Sequence, residues 1–141
     1  DWMRDRGFLE IKKPKALDLI SSHKNQKLLT IDSSASITDA LAIMNKYGIS
    51  QIPVKKGDTF VGSLNDTFLF SKLIEDSSIK TKIVSEVMQA PFPFVNDQTL
   101  MEDISKLITR ENNAVLMTDL AGTTHIITKH DLIQGISQMS N

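Results

Sequence analysis

The sequence predicts a mixed α/β (α+β) fold in which one β-α-β-β-α unit occurs twice. Shifting the chain against itself by 63 positions pairs apolar residues throughout, as it does Ile37 with Leu100. The same shift places the turn at 56–58 opposite residues 119–121, next to Gly122. Helices of similar period can coincide by chance, but turns that coincide as well favour a duplication.

Each element of the repeat has a local signal. In the first repeat, Ser36 is suited to be the N-cap of a helix, and Gly48 is suited to end it. The predicted elements are an extended segment over 28–31, a helix over 38–47, strands over 51–54 and 60–64, and a helix over 66–74. The second repeat gives an extended segment over 91–95, a helix over 100–109, strands over 114–118 and 124–128, and a helix over 129–138. One such unit cannot bury both faces of its sheet, so we expect the two repeats to pack sheet to sheet.

The chain divides on this basis into four parts. Residues 28–75 form the first repeat and residues 84–141 the second. Between them, residues 76–83 are the linker, polar and rich in serine at their start. Residues 1–27 are expected to be a linker from a preceding domain together with a lead-in helix.

Composition excludes several classes of function. The 141 residues carry a formal net charge of −1, so no field would attract nucleic acid or an anionic membrane. No apolar run is long enough to cross a bilayer. The absence of cysteine excludes disulfides, thiolate nucleophiles and Cys-based zinc sites, and it favours a cytoplasmic location. The three histidines have no metal-ligand spacing, and no catalytic set of residues is recognisable.

Three motifs carry a resemblance to a known family. They are Gly-Ile-Ser-Gln-Ile-Pro-Val at 48–54, Val-Ser-Glu-Val-Met at 84–88, and Ile-Ile-Thr-Lys-His-Asp-Leu at 126–132. In register within the duplication, they resemble the CBS-domain pair, often called a Bateman module. The resemblance covers nearly the whole chain from Leu28 to Gln138 and implies two intertwined repeats.

The N-terminal segment narrows the resemblance. Trp-Met-Arg-Asp-Arg-Gly-Phe-Leu at 2–9 is similar to the segment that leaves the catalytic domain of cystathionine β-synthase and its relatives. This similarity implies a regulatory fragment without activity of its own. The parent chain would then be a pyridoxal-phosphate-dependent β-synthase of cysteine metabolism, with its catalytic domain attached.

The resemblance also implies a ligand site for an adenosyl group. Thr128 and Asp131 match the family positions that bind ribose, where a carboxylate can accept hydrogen bonds from both hydroxyls. The helix that begins there favours a nearby anion. The implied adenine contacts, in one pocket built by both repeats, are Leu28, Leu29, Ile49, Ser50, Gln51, Ile52 and Ile126. An alternative is that Thr128 and Asp131 only cap the helix. The equivalent positions in the first repeat are Asn65 and Phe68, and phenylalanine cannot bind ribose, so we expect that site to be degenerate.

The sequence leaves alternatives open for the identity of the ligand and for the role of a dimer. The resemblance favours S-adenosylmethionine, whereas Lys129 and His130 beside the ribose position favour AMP or ATP, whose phosphate they could bind. No other cofactor is expected. The apolar helices at 66–74 and 129–138 predict a homodimer. The alternative function is a structural dimerisation module with a vestigial ligand site.

Overall fold

The computed structural model describes residues 14–20, 28–109 and 112–139. In chain order the elements are α1 (Ala16–Leu19), β1 (Ile31–Asp32), α2 (Ile37–Tyr47), β2 (Gln51–Lys56), β3 (Thr59–Asn65), α3 (Asp66–Glu75), a 3₁₀ helix (Ser77–Thr81), α4 (Val84–Val87), β4 (Phe94–Asn96), α5 (Met101–Leu107), β5 (Ala114–Thr118), β6 (Thr124–Thr128) and α6 (Lys129–Met139). They form two compact units, each with its own three-stranded sheet. The predicted mixed fold and its duplication are confirmed.

The first unit contains the described residues of 28–92. Its β1 runs parallel to β2, which pairs antiparallel with β3 through a turn where Gly57 has a φ of 63°. As predicted, Ser36 caps α2, and Gly48 ends it with a φ of 62°. Such a left-handed conformation strongly favours glycine. One face of this sheet packs with α2 and α3 into a core that includes Ile37, Ile52, Val54, Leu64 and Leu69.

The second unit contains residues 14–20 and the described residues from 93 onward. It repeats the topology, with β4 parallel to β5 and β5 antiparallel to β6. Fully buried Val115, Met117 and Ile127 line the inner face of its sheet. They pack against Ile104 of α5 and Leu132 of α6.

A segment before or at the start of each repeat packs in the unit of the other repeat. Residues 84–92 belong to the first unit, where Gln89 bridges to Ser63 of β3 and Val84 is fully buried. Residues 14–20, which we call the strap, belong to the second unit, where Lys15 bridges to Leu100. The repeat seen in the sequence and the packing unit therefore differ in extent, because the two lead-in segments are exchanged.

The linker between the repeats is itself a short structured element. Its serine-rich start forms the 3₁₀ helix, whose N-cap is the Asp76 side chain. The Thr38 hydroxyl donates to the Lys80 carbonyl at 2.7 Å, and the Ile37 N–H donates to the Lys82 carbonyl. These bonds attach the linker to the beginning of α2. The predicted N-terminal linker motif at 2–9 lies outside the described residues.

Candidate functional site

The centre of the candidate site is the junction between β6 and α6 in the second unit. The strand ends at Thr128 and the helix begins at Lys129 with no intervening loop. Thr128 donates two hydrogen bonds to Oδ2 of Asp131, one from its backbone N–H at 2.8 Å and one from its hydroxyl at 3.2 Å. Asp131 is only 7% exposed. The predicted pair is therefore brought together and held in a fixed geometry.

This geometry also satisfies the capping alternative. A side chain in the first helical turn that accepts from the N-cap backbone N–H is half of a capping box. Asp131 takes that role toward Thr128. The remaining N–H groups of the first turn of α6 have no partner within the helix, and they lie at its positive end. Capping and anion binding can therefore occur together at this junction.

The other predicted residues of the second unit surround this junction in different ways. Ile126 is half-buried on β6 and pairs with Leu116. Both Lys129 and His130 are exposed. The Lys129 side chain lines a groove between α5 and α6 that neither Thr128 nor Asp131 lines. Lys129, which is predicted to meet a phosphate, is thus found at the border of this separate groove.

The residues predicted to contact adenine in the first unit cluster at the start of its parallel strands. Leu28 and Leu29 are half-buried and lead into β1, while Gln51 begins β2 beside it. Ser50 is exposed, and its carbonyl accepts a hydrogen bond from the Asp66 N–H at 2.8 Å. The Ile49 side chain packs against the core. Their role in holding adenine stays a prediction.

One of that set is constrained by its burial. The Ile52 side chain is fully buried in the core of the first unit. This burial leaves only the backbone groups of Ile52 for contact with a ligand.

The first-repeat counterpart of the junction is closed by its own chain. Asn65 caps α3, because its Oδ1 accepts from the Phe68 N–H at 2.8 Å. Its Nδ2 donates to Oε1 of Gln89 at 2.8 Å. Gln89 lies in the exchanged segment, so sequence reasoning did not place it here. Asn65 is held by this amide pair, and half-buried Phe68 stands where the second repeat has Asp131, so this junction has no carboxylate at the equivalent position.

A buried histidine organises the hairpin that leads to the site. Nε2 of His125 on β6 lies 2.8 Å from Oδ2 of Asp119, and His125 is 3% exposed. The other oxygen, Oδ1, accepts from the N–H groups of Ala121 and Thr123. The His125 hydrogen bond, followed by that of Thr123, lowers the pKa of Asp119. An ionised carboxylate only accepts, so Nε2 donates.

Two apolar grooves lie on the helical faces of the units. One, of about 670 Å³, lies between α5 and α6 and is lined by Ile108, Leu132, Ile133 and Ile136 among others. The other, of about 470 Å³, lies between α2 and α3 and includes Leu41, Phe70 and Leu73. The two correspond under the 63-residue shift.

Clusters of metal ligands and membrane-spanning helices are absent from the described part of the chain. Within residues 14–20, 28–109 and 112–139, no three His, Asp or Glu side chains converge as metal ligands. No helix described there is both long and apolar enough to span a membrane. His23 lies outside the described residues.

Comparison with known proteins decides the family. The sequence model of the CBS domain matches residues 18–67 and 84–138. The chain belongs to the CBS-domain family. One match falls in each half of the duplication, so the chain is a pair of CBS repeats.

Individual relatives of this CBS pair are distant. The cystathionine beta-synthase of Dictyostelium discoideum is 24% identical over 149 residues, covering 94% of this chain and 30% of that protein. The chain thus spans about 30% of the length of that curated relative.

Two solved structures share the fold of the CBS pair. CBSX2, from Arabidopsis thaliana, in complex with AMP is 23% identical and has a TM-score of 0.67, with 90% of this chain and 98% of that chain covered. The CBS domain of a bacterial CNNM/CorC family Mg²⁺ transporter in complex with ATP is 20% identical, with a TM-score of 0.70 and 92% of each chain covered.

Proposed function

We propose that this CBS pair is a regulatory module that binds an adenosyl ligand at the junction of β6 and α6. The supporting observation is the Thr128–Asp131 pair, in which a buried carboxylate and a hydroxyl are fixed at the positive end of an 11-residue helix. A ribose needs acceptors for its two hydroxyls, and a carboxylate has several lone pairs for them. The AMP and ATP complexes of CBSX2 and of the transporter domain, which share the fold, agree with this class of ligand.

The proposal extends to the parent enzyme. The similarity to a cystathionine beta-synthase, whose length this chain only partly covers, supports a regulatory region attached to a pyridoxal-phosphate-dependent catalytic domain. We place that enzyme in sulfur amino-acid metabolism in the cytoplasm. In this arrangement the catalytic chemistry belongs to the attached domain, and the CBS pair supplies ligand-dependent control. S-adenosylmethionine is the ligand that this parentage favours.

Calorimetric titration of the 141-residue chain with AMP, ATP and S-adenosylmethionine tests the proposal directly. Saturable binding of at least one of the three ligands is expected. One site per chain is expected because Gln89 is hydrogen-bonded to Asn65 at the first-repeat junction. Heats no larger than dilution for all three ligands would contradict the proposed function.

The second candidate function is a dimerisation module with a vestigial ligand site. The observation that favours it is apolar exposure on the helical faces. Phe70 and Ile74 of α3 are 67% and 70% exposed, and Ile133 and Ile136 of α6 are 53% and 57% exposed. Contiguous apolar patches of this kind mark interaction sites. A dimer that binds none of the three ligands would favour this function.

A further inference from the structure

The strap, residues 14–20, is bonded along its backbone to the loop that precedes α5. The Ala16 N–H donates to the Thr99 carbonyl at 2.8 Å, and the Leu17 N–H donates to the Asp97 carbonyl at 3.1 Å. In return, the Pro14 carbonyl accepts from the Met101 N–H at 2.8 Å. The strap is therefore fixed to the second unit by main-chain bonds that do not depend on its side chains.

The side chains of the strap are buried against α6. Ala16, Leu19 and Ile20 are 0%, 6% and 1% exposed, and they share one core cluster with Leu132. The contact is closest at Gly135, where an added Cβ would lie 2.7 Å from Cδ2 of Leu19. Glycine is disfavoured inside a helix. Its presence in α6 is explained by this approach of the strap.

Gly135 and Asp131 lie on the same face of α6. Residues four apart on a helix are neighbours one turn apart. One rigid helix thus carries the candidate ligand contact in its first turn and the strap contact in its second. A ligand held by Asp131 therefore binds to α6 in the arrangement that the docked strap also contacts.

We propose that docking of the strap on α6 and ligand binding at Asp131 are coupled, so that the strap transmits ligand occupancy to the residues N-terminal to it. This inference rests on the proposed function. A ligand that binds only the docked arrangement stabilises it by mass action. Linkage requires the reverse as well: undocking the strap lowers ligand affinity by the same coupling factor by which ligand release lowers docking.

The first test is hydrogen exchange of the 141-residue chain with and without saturating AMP, ATP or S-adenosylmethionine. The ligand that binds by calorimetry is expected to slow amide exchange in residues 15–20. Binding with unchanged exchange in the strap overturns the coupling and leaves the proposed function intact. Failure of all three ligands to bind overturns both, and calorimetry alone shows it.

Paired substitutions test the reverse direction. Leu19→Ala removes the buried strap contact and is expected to weaken binding by about fivefold or more, the lower range of allosteric coupling. Leu17→Ala is the matched control, because Leu17 lies in the same short helix but is 42% exposed. It should keep wild-type affinity.

Gly135→Ala tests the same contact from α6 and covers the case in which Leu19→Ala fails to fold. Alanine favours the helix, yet its Cβ would press on Leu19 and on Met101, whose Sδ would lie 3.1 Å away. Exchange in the strap should quicken and affinity should fall. Gln134→Ala, at an exposed position of α6, is the control. Wild-type affinity in both Leu19→Ala and Gly135→Ala overturns the inference.

Discussion

Thr128 directs two donors to one carboxylate oxygen of Asp131, its backbone N–H at 2.8 Å and its hydroxyl at 3.2 Å. In the first unit, Ser36 and Asp39 make a related capping exchange at the start of α2. The difference is burial, because Asp39 is exposed whereas Asp131 is 7% exposed. Comparing these two pairs separates capping from ligand binding.

Asp131→Ala should abolish measurable adenosyl binding while the chain stays folded. Loss of a charged hydrogen bond costs about 1.5–3 kcal/mol, which corresponds to roughly 10- to 150-fold in affinity for each bond lost. Asp39→Ala, which also removes a capping carboxylate, should lower the thermal midpoint but leave affinity unchanged. Both variants are measured by calorimetry and thermal unfolding. Wild-type affinity in Asp131→Ala would show that this carboxylate only caps α6.

Gly62→Ala should destabilise the first unit by about 1–3 kcal/mol, the usual cost of overpacking. A Cβ at this position of β3 would collide with Sδ of Met88 and lie 2.7 Å from its Cγ and 2.9 Å from the Gln89 carbonyl oxygen. The substitution thus opposes the packing of the exchanged segment on β3. Chemical denaturation gives the free energy of unfolding.

The double variant Gly62→Ala/Met88→Ala provides the internal check on this collision. It should recover part of the loss relative to the sum of the single variants, because the sulfur is removed while the Gln89 backbone stays. Strict additivity of the two changes in unfolding free energy would mean that the cost of Gly62→Ala does not arise from the contact with Met88.

The Asp119–His125 pair predicts how the stability of the second unit depends on pH. Hydrogen bonds from His125 and Thr123 lower the pKa of Asp119 below its ordinary value of 3.8. The stabilisation that the ionised Asp119 carboxylate gives to the folded state is therefore fully present above about pH 4. It is lost as pH falls through the lowered pKa that Asp119 has in the folded state. Asp119→Asn should lower the thermal midpoint at pH 7, and this difference should shrink toward pH 3.

Asp58→Asn is the control for that titration, because Asp58 is an exposed carboxylate in the hairpin turn of the first repeat. It should change the midpoint little across the same pH range. A pH-independent difference between wild type and Asp119→Asn would mean that the ionised carboxylate contributes nothing to the hairpin.

The helical faces predict a homodimer in solution. Phe70→Glu and Ile133→Glu place a charge in the exposed apolar faces of α3 and α6, and each should shift the mass measured by light scattering toward that of a monomer. Leu120→Glu is the matched control, because Leu120 is 94% exposed but lies in the β5–β6 turn. A monomeric wild type at high concentration would contradict the prediction.

The fold followed from local signals, whereas the exchange of the lead-in segments did not. The left-handed turns at Gly48 and Gly57 are set by neighbours in the chain, so sequence patterns predict them well. The segment 84–92 has no local feature that identifies the sheet on which it packs. Its position is explained by contacts that are distant in sequence, such as the Ser63–Gln89 bridge and the close approach of Met88 to Gly62.

The contacts of the candidate site likewise include some that local sequence predicts and some that it does not. Thr128 and Asp131 lie three residues apart on one turn, so their spacing alone predicts their contact. Gln89 reaches Asn65 from 24 residues away, and no sequence signal indicated it. The Asp119–His125 pair was missed although it is local. Its signal is an aspartate that begins a glycine-containing hairpin turn and a histidine six residues later on the returning strand.

Charge predicts how a nucleotide and S-adenosylmethionine should differ as ligands. Phosphate groups of AMP or ATP near the start of α6 would gain charge-assisted hydrogen bonds from His130 or Lys129, whereas a cationic sulfonium would gain nothing from them. Both side chains are exposed, so screening acts on them fully.

Nucleotide affinity should therefore fall when salt rises from about 0.05 to 0.5 M, and should fall again in His130→Ala. S-adenosylmethionine affinity should be nearly independent of both changes, with Lys80→Ala, an exposed lysine in the linker, as the charge control. Competition calorimetry at the two salt concentrations measures this. If AMP binds and S-adenosylmethionine does not displace it, then the ligand is a nucleotide and the parentage has predicted the wrong adenosyl compound for the right site.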